Sequence, residues 1–150
     1  MRIPLIIRPA YPGEPRVYTF LTLAIRAMRV NGQITAIVDT GSPRTLIAPR
    51  DATYLKIPFK ILPPSSPKEL RVAGFVLPAY SMKDVTLGFL DENKAMRRIN
   101  MPIITVLGRP VPYRAEIEHL PSIVGTDFLE DNKFAFYFDP HNKISYLEDV

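Results

Sequence analysis

Apolar and polar positions along the chain alternate in short runs rich in Val, Ile, Thr, Tyr and Phe. Proline, glycine, asparagine and aspartate separate these runs, as expected for β-strands joined by turns. Ile3 to Ile7 reads as a short strand and Tyr11-Pro12-Gly13-Glu14-Pro15 as a turn, because proline and glycine break a continuing ladder. Val17 to Val30 reads as a long strand, although Leu23 to Met28 passes locally for helix. Asn31-Gly32 has the composition of a type I′ hairpin turn, which would return the chain along Gln33 to Val38.

Further along, Pro49 to Leu55 reads as a short helix with proline in its first turn, closed before Pro58. Leu62-Pro63-Pro64-Ser65-Ser66-Pro67 reads as extended chain in which helix and central strand are both disfavoured. Val85 to Leu90 and Ile99 to Leu107 read as strands on either side of a solvated turn at Asp91-Glu92-Asn93-Lys94. Gly108 to Leu120 receives no element. Thr126 to Asp131 reads as a helical turn with Thr126 as N-cap and acids early in it. The almost wholly aromatic Phe134 to Phe138 reads as a strand buried on both faces, and Asp139 to Asn142 as a turn into Ile144 to Leu147. The sum is an all-β chain with one or two short helices. It forms a single domain over 1–150 with no internal repeat.

One stretch carries chemistry. In Ala36-Ile37-Val38-Asp39-Thr40-Gly41-Ser42-Pro43-Arg44-Thr45-Leu46-Ile47 an apolar run ends in an acid on a tight loop, and a second β-prone run follows. Gly41 lets the backbone turn and leaves its N–H to hold the acid, while Thr40 and Ser42 offer hydroxyls that orient it. A carboxylate acting as base near neutral pH needs its proton affinity raised, and a second carboxylate in the same site does this. Taken alone, Asp-Thr-Gly-Ser is more often an Asx-type turn. Ile123-Val124-Gly125 supplies a second motif near the C-terminus, ahead of a helical segment.

In these two motifs the sequence resembles the retropepsin-like, single-domain branch of the aspartic proteases. The resemblance implies a closed β-barrel with a flap hairpin, in which Asp39, Thr40, Gly41 and Ser42 form the catalytic loop and Ile123, Val124 and Gly125 the second structural signature. No second Asp-Thr-Gly occurs, so it further implies a homodimer acting on a peptide or protein substrate without metal or other cofactor. Asp39 and its symmetry mate would share a proton and activate water. Thr40 would grip the opposite loop, and Ser42 would bond an outer carboxylate oxygen. Ile3 to Ile7 and Ile144 to Leu147 are the strands expected at the dimer interface. The flap tip falls at Ala73-Gly74-Phe75, with a plain strand carrying a glycine bulge as the alternative.

Viral retropepsins place acids just after the catalytic loop and an arginine near the second signature. Here Pro43-Arg44 and Thr126-Asp127 stand in those places, and an Arg44–Asp127 brace of reversed charge is expected. Asp127, without a glycine turn, is not expected to be a second catalytic acid.

Composition narrows the alternatives. At 150 residues, 47% hydrophobic and 23% charged, the chain can bury a core without disulfides. With no cysteine there is no thiol nucleophile or thiolate metal site, and a reducing, cytoplasmic setting is expected. His119 and His141 lack companions at metal-ligand spacing, and no Gly-x-Ser-x-Gly elbow supports a serine hydrolase. No run reaches the ~18 apolar residues of a membrane span, and Met1 to Arg8 is too short and too broken by Pro4 for a signal core. The net charge of +4 raises nucleic-acid binding, but the bases are spread out with Arg97-Arg98 the only adjacent pair, so no nucleic-acid partner is expected. The rival from another class is a non-catalytic module of the same fold, used for dimerisation or peptide binding by strand addition.

Overall fold

The alternation read from the sequence becomes strand pairing in two sheets of a computed structural model, which describes residues 1–9 and 15–150. The expected strand from Ile3 to Ile7 divides at Leu5 into β1 (Arg2–Pro4) and β2 (Ile6–Pro9), which enter different sheets. The turn expected at Tyr11 to Pro15 lies, but for Pro15, outside the described residues. Then follow β3 (Pro15–Ile25), β4 (Val30–Val38), β5 (Leu46–Ile47), α1 (Pro49–Tyr54), β6 (Pro64–Val72), β7 (Phe75–Leu90) and β8 (Met96–Leu107). The last part of the chain forms β9 (Ser122–Val124), α2 (Thr126–Asp131), β10 (Phe134–Asp139) and β11 (Ile144–Asp149). The larger sheet runs β2-β3-β4-β9-β5-β8-β7-β6 and the smaller β1-β11-β10.

The all-β class holds, with two short helices, but the barrel is not closed. The large sheet curls until β3 meets β7 over three pairs, Thr22 to Ala24 against Gly88 to Thr86, and among the described residues β2 and β6 remain as free ends. Gly88 permits this approach, since a Cβ there would overlap the Thr22 hydroxyl and lie 2.8 Å from Met96 Sδ. Pro64 and Pro67 keep β6 at the edge, because neither can donate a ladder hydrogen bond. The main core lies inside the curl, around Leu23, Met82, Leu87 and Phe128. A second cluster joins Leu46, Leu77, Ala79, Leu107, Ile117, Leu120 and Ile123.

The hairpin after β3 turns earlier than the sequence suggested. A 3-10 turn at Arg26–Met28 and left-handed Arg29 reverse the chain, while Asn31 and Gly32 sit inside β4 opposite Ala24 and Leu23. Gly32 serves a different need: a Cβ there would collide with Leu55 Cδ2 just after α1. The N-cap of α2 is Gly125 rather than Thr126, which is the first helical residue. Phe134 to Phe138 is not covered on both faces, because β10 is an edge strand with Tyr137 and Phe138 exposed. Nor has β11 an edge to offer another chain, since β1 and β10 flank it.

Gly108 to Leu120, given no element from sequence, contains a 3-10 turn at Ala115–His119 and is pinned by Arg109. The guanidinium donates to Glu118 Oε1 and Oε2 (2.6 and 2.9 Å) and to Thr53 Oγ1 (2.6 Å), holding the Glu118 carboxyl below its ordinary value of 4.5. Both histidines are exposed. Among the described residues no helix is long and apolar enough to cross a membrane, and no cluster of His, Cys, Asp and Glu is placed to hold a metal ion.

The turn at Asp91 forms where expected, around one buried carboxylate. Asp91 Oδ1 accepts the Asn93 and Ala95 amides (both 2.9 Å) and Oδ2 accepts Arg97 Nε (3.0 Å). The Ala95 amide foremost, with Arg97 and Asn93, outweighs desolvation and holds the Asp91 pKa below its ordinary 3.8. An acid with a depressed folded pKa stabilises the fold fully above its ordinary value and loses that contribution as the pH falls through the folded value. Asp91→Asn should therefore melt below the wild type near neutral pH, and the gap should narrow as the pH drops under 3.8. Calorimetry across that range reads it; a pH-independent gap would assign the effect to turn geometry and not to charge.

Candidate active site

Asp39 follows the last residue of β4, where Val38 is buried and the loop turns outward. The carboxylate is fixed by its own loop, as the Gly41 amide donates to Asp39 Oδ1 (2.8 Å) and the Ser42 amide to the Asp39 carbonyl (3.1 Å). Gly41 leaves room for this contact, because a Cβ would lie 3.1 Å from Asp39 Oδ1 and would press on the carboxylate. Asp39 is half-buried and Thr40 exposed. The Ser42 hydroxyl does not reach Asp39 as the resemblance implied; it donates to the Arg44 carbonyl (2.7 Å) and closes the loop on itself.

The second motif locks this loop. β9 runs parallel to β4, with Ile37 beside Ile123 and Val38 beside Val124, and meets β5 at Leu46, so it threads between the two arms that carry Asp39. The Asp39 amide donates to the Val124 carbonyl (3.1 Å), and the Thr126 amide donates to the Ser42 carbonyl (2.9 Å). Gly125 is sterically required. A Cβ would sit 2.7 Å from the Ser42 carbonyl oxygen and closer still to the Arg44 carbonyl, both backbone atoms that cannot swing aside.

The expected Arg44–Asp127 brace is absent, and the charges serve two other contacts. Asp127 Oδ2 accepts the Thr45 amide (3.0 Å), while Oδ1 accepts the Thr45 hydroxyl and the Phe128 amide (both 2.7 Å). Thr45 Oγ1 in turn accepts the Gly125 amide (3.2 Å). Arg44 instead donates to the Ser66 carbonyl (2.8 Å) and ties the loop to β6. A joint change of charge at the two places had suggested a partnership; the acid instead meets neutral donors, Thr45 just before β5 and Phe128 in α2.

Sequence reasoning missed a further support. The Ser122 hydroxyl donates to Asp51 Oδ2 (2.6 Å) and accepts the Ala48 amide (2.9 Å), fixing the start of β9 from α1. Its members are 71 residues apart, and no local pattern links them. The position of Asp51 in the first helical turn was the one available signal.

β6 and β7 form a hairpin at the place expected for the flap. Val72 pairs with Phe75 across a two-residue turn, with Ala73 at φ 49° and Gly74 at φ 84°, both left-handed as a type I′ turn requires. The expected tip is thus a true hairpin turn and not a bulge. Leu70, Val72 and Phe75 pack on the second cluster, as Ile37 does, so the hairpin and the strand that leads to Asp39 share one apolar support. Asp39 and Thr40 also line a groove of about 350 Å³ with Arg16, Val17, Phe136 and Phe138. Among the described residues that line this groove Asp39 is the one acid, and Asp127 is already committed to three hydrogen bonds.

The Thr45→Val variant should lose about 1–3 kcal/mol, leaving the buried Gly125 amide without an acceptor. Gly125→Ala should cost more, about 3 kcal/mol, because backbone must move. Urea unfolding midpoints check both, and an unchanged Gly125→Ala midpoint would contradict the close approach.

No family model matches the sequence, and no curated protein matches it. Among solved structures, the crystal structure of a retropepsin-like aspartic protease from Rickettsia conorii superimposes with a TM-score of 0.57. The match is 18% identical and covers 99% of this chain and 92% of that one. At that identity the likeness speaks to architecture, and with the threaded Asp39 loop and the flap hairpin it gives this chain the retropepsin-like fold.

Proposed function

We propose that the chain is an aspartic endopeptidase whose active site forms when two copies bring their Asp39 carboxylates together. The observation that carries this reading is a lone acid presented on a hydrogen-bonded loop, with no second acid among the described residues that line its groove. Two such acids in contact cannot both ionise, so they hold one proton between them, and the apparent pKa values belong to the pair. The ionised member takes a proton from a water between them, the water attacks the peptide carbonyl, and the protonated member donates to the developing oxyanion. Thr40, exposed beside Asp39, grips the opposite loop, and the Ala73-Gly74-Phe75 tip covers the peptide. Neither step requires a metal. The cysteine-free composition supports a reducing compartment, and we assign the protein to the cytoplasm.

Asp39→Asn should lower peptide hydrolysis about 10²–10⁴-fold. Asp127→Asn should act on stability and not on the rate per folded dimer. Specific activity should also fall on dilution, as pairs dissociate. A wild-type dimer that cleaves no member of a peptide library, with Asp39→Asn indistinguishable from it, would make the fold a binding module instead.

A further inference from the structure

Among the described residues that line the Asp39 groove Arg16 is the one base, and its place follows from strand register. The β3–β4 ladder ends with Tyr18 opposite Ile37, and continuing that register by two residues puts Arg16 opposite Asp39. On the other side of β3, Arg8 of β2 pairs directly with Arg16. Side chains alternate along a strand, so Arg8 and Arg16 share the face opposite to the one on which Val17 is buried. Arg8, Arg16 and Asp39 thus form a row across three neighbouring strands.

Two arginines directly opposite each other weaken the pairing of their strands. Elsewhere in the chain Arg2, Arg97 and Arg109 each meet a carboxylate, at 3.3, 3.0 and 2.6 Å. Among the described residues no carboxylate comes within 4.0 Å of Arg8 or Arg16. Arg8 leans aside, its guanidinium 5.9 Å from the centre of the Phe20 ring. Asp39 does not neutralise Arg16 either, and its Oδ1 accepts the Gly41 amide instead. An exposed guanidinium therefore stands beside the candidate catalytic acid, at a cost to the sheet that the fold itself does not explain.

We propose that Arg16 is a specificity-determining residue that receives an acidic side chain of the substrate, with Arg8 adding to the positive field from the next strand. A guanidinium stays charged at every working pH and presents a planar fork that matches a carboxylate through two parallel hydrogen bonds. Neighbouring strands lie about 4.8 Å apart and an extended peptide advances about 3.3 Å per residue, so the acid falls roughly one to three residues from the bond cleaved at Asp39. Phe136 and Phe138, stacked at 6.2 Å in the same groove, give the flanking residues an apolar wall. The substrate class is then a peptide that carries Glu or Asp close to the scissile bond beside apolar residues. The inference rests on the peptidase reading for bringing a peptide to Asp39, while the place of the cation rests on register alone.

Peptide libraries with both ends blocked, random except for one position fixed as Glu or Gln, test this with side-chain charge as the only variable. At one position the Glu library should be hydrolysed about tenfold faster, and the Asp39→Asn protein should bind it about tenfold more tightly by fluorescence polarisation. Arg16→Gln, in either background, should bring these ratios to about one, and Arg16→Glu should move the preference to Lys. Lys60→Gln, which removes an equal charge at an exposed position outside the groove, should leave the ratios in place. Arg16→Glu also replaces a like-charged pair by an opposite one and should melt no lower than the wild type. Hydrolysis with no preference for Glu at any position would overturn the acidic subsite and leave the peptidase reading intact. A preference that survives Arg16→Gln would overturn the assignment to Arg16. So would Arg16 variants that dissociate a dimer in sedimentation while the ratios hold, giving the residue to contact between copies. Glu-selective binding without hydrolysis of any library would uphold the site and reject the peptidase, and a protein that neither binds nor cleaves any library would overturn both.

Discussion

The passage of β9 between the two arms of the Asp39 loop is the constraint on which the rest of the molecule depends. It requires a strand to lie parallel to β4 on one side and to touch β5 on the other, within the space of a few residues. Only a glycine fits where that strand leaves, because the Ser42 and Arg44 carbonyls both crowd the position that a Cβ on residue 125 would take. Once it is in place, Asp39, Ser42, Thr45 and Asp127 are joined by hydrogen bonds that leave the loop little freedom. The half-buried acid is thus held by its surroundings before any substrate or second chain arrives.

The flap and the long loop are secondary to that lock but tied to it. Arg44 carries one connection from the loop to β6, and the second apolar cluster carries another from Ile37, Leu46 and Ile123 to Leu70, Val72 and Phe75. Arg109 closes the 108–120 segment on its own Glu118 and ties it to Thr53 of α1, and the segment shares a groove with Gly74 and Phe75 of the hairpin tip. Movement of the flap relative to the acid must therefore break or stretch a guanidinium contact and shear an apolar interface.

Features with a steric cause were the legible ones. The Asp39 loop, Ile123 to Gly125 and the Ala73-Gly74 tip could be read because glycine and small hydroxyl residues stand there for backbone reasons. Asn31-Gly32 misled for the same reason applied to the wrong neighbour: its glycine makes room for Leu55, which no local window contains. Phe134 to Phe138 misled because an aromatic run does not say whether its strand lies inside a sheet or at its edge. The partners of Arg44 and Asp127 were hidden because opposite charges say nothing of direction, and the Ser122–Asp51 bond because it crosses the whole domain.

The lock around Gly125 joins main-chain groups of Asp39, Ser42, Val124 and Thr126 through a small set of side chains, those of Asp39, Ser42, Thr45 and Asp127. Such a framework places light demands on the identity of surrounding residues, which can drift so long as glycine and the small hydroxyls persist. Shared architecture with the rickettsial enzyme at 18% identity, in a sequence that no family model matches, is the outcome expected of a design inscribed in the backbone and only lightly annotated by the alphabet.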